Sequence, residues 1–190
     1  MIQIKNAAEL QKMRKACAIS AAALKAGGEA IEPGITTAEI DKIIYDFIVR
    51  HGARPNFLHL YGFPATACIS VNDTVIHGIP NKQQQIRPGD IVSIDTGCKI
   101  DGFNGDNACT YACGKIDLEA QRLLDVTKES LHRGIEMACG GNRVGDIGHA
   151  VQSSLRRPRC RQGAARGPGG PELRQCRTRS ASGAGHVHCR

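Results

Sequence analysis

Apolar residues recur at Leu10, Met13, Cys17, Ala21 and Leu24 within an Ala- and Leu-rich stretch, Asn6–Gly27. That spacing predicts an amphipathic helix, with Gly27-Gly28 and Pro33-Gly34 punctuating its exit. Thr36-Thr37-Ala38-Glu39 has the form of a capping box and opens a second helix through Val49, stopped at Gly52. A third helix is expected over Asp117–Cys139, ended by Gly140-Gly141, and a short fourth over Ile147–Ser153. Strand patterns fall at Ala65–Val71, Ile91–Lys99 and Phe103–Cys113. Helices packed on one face of an antiparallel sheet make the expected fold class α+β. Asp101-Gly102 sits between two apolar arms, the strongest short-range hairpin signal. If these two residues form the turn, Asp95 faces Ala108 and Asp106 faces Gly97.

That register makes Asp95 and Asp106 diagonal neighbours on one face, roughly 7–8 Å apart between Cα atoms. The ladder around them (Ile91, Val92, Ile94, Phe103, Ala108, Tyr111) is apolar enough to be half buried. Two carboxylates there repel each other and lose hydration, so one must protonate or a cation must sit between them. Oxygen ligands at this separation suit one divalent ion or a pair bridged by a carboxylate. Two solvated strand aspartates remain the alternative. His77 lies in Cys68–Pro80, CISVNDTVIHGIP, which reads as a strand, an Asn-Asp turn and a histidine held by Gly78 and Pro80. A loop histidine beside such a site can polarise a carbonyl or shuttle protons.

Three pieces therefore stand in order: VNDTVIHGIP, then Pro88-Gly89-Asp90 leading into IVSIDTG, then DGFNGDNACTY. In these motifs the chain resembles bacterial type I methionine aminopeptidase, from Met1 to about Ser153 and including GNRVGDIG at Gly141–Gly148. The resemblance implies the pita-bread fold, of which this chain holds roughly the first of two pseudo-symmetric halves. It implies removal of the initiator methionine from nascent proteins by two divalent metal ions (cobalt, manganese, iron or zinc). Asp106 matches the bridging aspartate and Asp95 the ligand to a single ion. His77 matches the histidine that contacts substrate at the scissile bond. Leu60, Phe63 and Cys68, from the loop Phe57–Cys68, are the candidates for the methionine pocket; ordinary core packing is their other reading. Asn104 stands where relatives often have histidine, a position that is not a metal ligand. The family's remaining ligands are a histidine in a GHGxGR motif and two glutamates, which this chain lacks. A cytoplasmic monomer is implied, with ribosome association left open.

Composition then divides the chain. Residues 1–154 carry 16 Lys and Arg against 17 Asp and Glu; the last 36 carry nine Arg, no Lys and one acid, Glu172. The formal charge of +7 therefore belongs to Leu155–Arg190, which has no helical or strand period and is expected to be disordered. An Arg-rich tail suggests nucleic acid. Another origin is an altered reading frame. With each codon started one base late, Leu155–Arg161 can encode FVGHGVG, Ala164–Pro168 can encode LHEDP, and the stretch from Pro171 can encode PNFGNAGRGARLVPGMFIA, following the family's continuation. On that reading residues 1–154 are the N-terminal part of the catalytic domain, 155–190 are out of frame, and nucleic-acid binding is not expected. His186 and His188, with Cys176 and Cys189, are then an accidental likeness to a zinc site. Nine cysteines without a CxxC pair argue for reduced thiols, with Cys109 and Cys113 as small apolar fillers. Met1–Lys5 is too polar for secretion, and no apolar run is long enough to span a bilayer. Lacking three of five ligands, the chain as written is expected to be inactive. The alternatives are a catalytically dead pita-bread binding module and a basic-tail nucleic-acid binder.

Overall fold

The computed structural model of the chain describes residues 3–156. Its helices are α1 (Ala7–Glu29), α2 (Thr37–Arg50), α3 (Leu118–Met137) and α4 (Val144–Arg156). Its strands are β1 (Arg54–Pro55), β2 (Ala67–Val71), β3 (Ile91–Ile100) and β4 (Phe103–Ala112). All pairings are antiparallel: β3 takes β1 and β2 along one edge and β4 along the other. Two compact units are distinguished, the first up to Gln121 and the second from Arg122. The tail expectations, including its disorder, its altered frame and the group His186, His188, Cys176 and Cys189, lie outside the described residues.

In the first unit α1 lies across β3 and β4 on the face that carries Val92, Ile94, Thr96 and Cys98. The Ser20 hydroxyl donates to Thr96 O at 3.1 Å and the Cys98 thiol to Ala16 O at 3.5 Å. The buried stripe of α1 is Ala16, Ser20, Ala23, Leu24, Gly27 and Gly28. Mostly small side chains let the helix axis come close to the sheet. Ala21, expected on the apolar face, is exposed instead. The predicted exit at Gly27-Gly28 is also corrected, because the helix runs through both glycines to Glu29. They serve packing rather than termination: a Cβ on Gly27 would lie 2.7 Å from Ile44 Cδ1, and one on Gly28 would fall inside the Tyr111 ring.

Asn6 caps α1, and Thr36 caps α2 with Glu39 closing a capping box as the sequence indicates. α2 drives Ile40, Ile44 and Ile48 into the core, where they meet Ile69, Val71, Val92 and Ile94. In the second unit α4 begins three residues before the expected Ile147 and continues through Leu155 and Arg156. The Asp146 carboxylate accepts from Arg143 N–H at 2.7 Å, which places the cap upstream of the Gly145 turn read from sequence. Gly134 of α3 leaves the space in which a Cβ would stand 2.9 Å from Val151 Cγ2. No helix among the described residues is long and apolar enough to cross a membrane.

Candidate metal centre

The hairpin forms as its turn chemistry dictates. Asp101 (φ 52°) and Gly102 (φ 85°) both occupy the left-handed region, as a two-residue type I′ turn requires. Lys15 of α1 pairs with the Asp101 carboxylate at 2.7 Å and ties the hairpin tip to the helix. Asp95 faces Ala108 and Gly97 faces Asp106, the register expected. Side chains alternate between faces along a strand, so both aspartates lie on the sheet face turned away from α1.

On that face Cys68 of β2 is paired directly with Asp95, giving a row Cys68, Asp95, Ala108 across three strands. Beside it runs a hydroxyl row, Ser70, Ser93 and Thr110, with Ser93 and Thr110 in hydrogen bond at 2.8 Å. Asp95 is half-buried, as are Ile91, Phe103 and Tyr111 of the ladder expected to be so, but Asp106 is exposed. Val92 and Ile94 are fully buried on the α1 face, whereas Ala108 is exposed. Burial pushes the Asp95 carboxyl above the ordinary carboxylate range. The neighbouring Asp106 raises it further, by charge and by a hydrogen bond between the two groups, while His77 opposes the shift.

His77 reaches this electrostatic neighbourhood because the chain doubles back after β2. Asn72 turns at φ 53°, its Oδ1 accepting from Ile91 N–H at 3.0 Å and its Nδ2 donating to the Asp90 carboxylate at 2.8 Å. Gly78 then returns beside β2: its N–H donates to Ser70 Oγ at 3.1 Å and its carbonyl accepts from Ile69 N–H at 2.8 Å. A Cβ on Gly78 would lie 2.1 Å from Ile69 O, so only glycine fits. The bonded Gly78 holds the preceding His77 at φ 57°, a conformation costly for a histidine and sustained by its surroundings.

The three pocket candidates separate. Cys68 is buried, and its thiol is pushed up to about 11 by desolvation and then by the charges of Asp95, Asp106 and Asp41. Leu60 and Phe63 lie on the turn before β2, where Phe63 N–H donates to Leu60 O at 2.9 Å. Leu60 is 49% exposed and Phe63 half-buried. Sequence reasoning missed Asn56, whose N–H donates to Gly97 O at 2.9 Å and whose side chain fills the space a Cβ on Gly97 would take. Its signal was only a polar residue after Pro55. Cys113 is buried as a small filler, but Cys109, expected in the same role, is exposed on β4. Cys68, Cys98, Cys109 and Cys113 are free thiols.

Two hard oxygen donors, one of them half-buried, with no Lys or Arg paired to either among the described residues, suit a divalent cation. The fit is partial: no group of three or more His, Cys, Asp or Glu among the described residues is placed to hold a metal ion. Asp95 also supplies a test. With its folded pKa raised, its contribution to stability is present below the ordinary carboxylate pKa and is lost as pH rises through the raised value. Metal-free Asp95→Asn should therefore lose less stability than the parent between mildly acidic and neutral pH, measured as the urea midpoint. Parallel pH profiles would count against a desolvated Asp95.

The antiparallel hairpin with Asp95 and Asp106 on one face and α1 on the other belongs to an α+β architecture of the pita-bread kind. The sequence profile of metallopeptidase family M24 matches residues 11–187, and the chain belongs to that family. Its members use divalent metal. The chain is 46% identical over 152 residues to methionine aminopeptidase of Clostridium acetobutylicum, covering 80% of this chain and 61% of that one. It is 40% identical to methionine aminopeptidase 1 of Mycobacterium tuberculosis, covering 86% of this chain and 61% of that one. Among solved structures it superposes on methionine aminopeptidase from Rickettsia prowazekii with TM-score 0.78 and 37% identity, covering 81% of this chain and 62% of that one. The Thermotoga maritima methionine aminopeptidase gives TM-score 0.79 at 36% identity, with the same coverage. At 24% identity and TM-score 0.71, Escherichia coli aminopeptidase P shares the fold. The chain thus spans about 61% of the length of the relatives it matches.

Proposed function

We propose that this chain derives from a methionine aminopeptidase and carries part of that enzyme's site for releasing the N-terminal methionine of cytoplasmic proteins. The observation that carries the reading is the β3–β4 register that sets Asp95 and Asp106 as neighbours on one face of the sheet, with His77 close enough to act on Asp95. Asp106 and Asp95 would be two of the ligands that hold a pair of divalent ions, cobalt, manganese, iron or zinc. Bound there, divalent cations supply Lewis-acid chemistry at the scissile carbonyl. His77 orients the substrate around that bond, and Cys68, with Leu60 and Phe63, lines the methionine pocket. The partner is then the free N-terminus of a polypeptide, met as it leaves the ribosome.

These 190 residues supply two of the five ligands that the resemblance implies, and two carboxylates alone do not retain two ions. The chain as written is therefore proposed to be inactive, and the activity to belong to a chain carrying all five. The test is methionine release from a Met-Ala-Ser peptide with added manganese or cobalt. The 190-residue chain should release none, a chain continued in the shifted frame should release methionine, and Asp106→Asn in that continued chain should abolish it. Turnover by the 190-residue chain would overturn the proposed inactivity, and turnover by the Asp106→Asn chain would overturn the ligand assignment.

A further inference from the structure

Asp41 lies in α2, on neither strand of the hairpin, yet its carboxylate reaches the start of β2. A single oxygen, Oδ1, accepts both Thr66 N–H at 2.9 Å and Ala67 N–H at 2.8 Å. Ala67 is the first residue of β2, and the next is Cys68, in register with Asp95. The side chain is anchored where the pocket loop becomes sheet, between Phe63 and Cys68. Burial pushes its carboxyl above the ordinary range despite the two N–H bonds. No Lys or Arg is paired with it among the described residues. An uncompensated, partly buried carboxylate is a costly way to end a loop unless the two bonds matter.

We propose that Asp41 is a positioning residue: its two backbone bonds fix the first residues of β2 and thereby hold Cys68 against Asp95. The geometry supplies the reason. Thr66 and Ala67 are consecutive, so one donor belongs to the loop and one to the strand, and a common acceptor clamps the junction. Freed from it, the first turn of β2 frays, and Cys68 is the first site-facing side chain to move. Its functional weight rests on Cys68 lining the methionine pocket.

The test uses the full 190-residue chain and the labelling rate of each cysteine by N-ethylmaleimide, resolved by mass spectrometry. Cys68 is 7% exposed, Cys98 0% and Cys113 1%, while Cys109 is an exposed reference in the same molecule. In Asp41→Ala, Cys68 should lose its protection and approach the rate of Cys109, with Cys98 and Cys113 still protected. Asp41→Asn keeps an oxygen able to accept both N–H groups and should restore protection. Cys68 staying protected in Asp41→Ala overturns the proposal. So does opening of Cys98 and Cys113 together with Cys68, which would make Asp41 a residue of global stability, and so does Asp41→Asn behaving like the alanine variant. The pocket reading is judged separately, by whether methionine amide slows labelling of Cys68 in the parent chain; its failure leaves the Asp41 result standing.

Discussion

Gly105→Ala is expected to destabilise the first unit by about 3 kcal/mol, the upper end of what overpacking costs. Gly105 is buried on β4 opposite Cys98, under α1. A Cβ there would stand 2.3 Å from Ala16 O, 2.5 Å from Ala16 C and 2.7 Å from Cys17 N. These are backbone atoms in the middle of a helix, and none can rotate aside as a side chain would. The helix must lift or the strand must bend, and either parts the Cys98 thiol from Ala16 O. The measurement is the urea midpoint of the metal-free chain at fixed pH. A midpoint equal to that of the parent would mean α1 is not seated on β4 as described.

Ile94→Ala should cost about 2–5 kcal/mol, the range for emptying a fully buried branched side chain. Ile94 is 0% exposed, pairs with Ile69 on one side and Cys109 on the other, and belongs to the core cluster beneath α1 and α2. Its position next to Asp95 makes the experiment informative about the site as well. The same peptide unit that buries Ile94 on one face presents Asp95 on the other, so loosening the core should loosen the carboxylate pair. Thermal unfolding gives the stability, and labelling of Cys68, the residue paired with Asp95, reports the site. A small loss, near that of an exposed substitution, would show that the cavity collapses.

What could be read in advance depended on how local the cause was. Asp101-Gly102 dictates its own turn, and a period of two then carries the register to Asp95 and Asp106 without further information. Thr36 and Glu39 announce α2 for the same reason, since the cap and its partner are three residues apart. Gly27-Gly28 misled because glycine has two uses, ending helices and admitting neighbours. Which applies depends on Ile44 and Tyr111, which are far along the chain. The exposure of Asp106 and Cys109 was equally out of reach, because an alternating pattern names two faces without saying what covers each. β1, at Arg54–Pro55, is too short to show any period, and Asn56 acts through the bare backbone of Gly97. The stretch CISVNDTVIHGIP singled out His77 and family likeness gave it a substrate contact, but its left-handed backbone and the return of Gly78 along β2 came only with the fold.

The hairpin tip has one further consequence, for which changes the chain can survive. Asp101 and Gly102 contribute no group to the carboxylate face, so other pairs that accept two left-handed residues could stand there. Length is another matter. One residue gained or lost beyond the tip moves every later side chain of β4 to the opposite face. Either change would drive Asp106 beneath α1, and its place beside Asp95 would go to Asn107 after a loss or to Gly105 after a gain. The two carboxylates meet only while an even count separates them, so the tip can drift in composition across generations but not by a single codon in length.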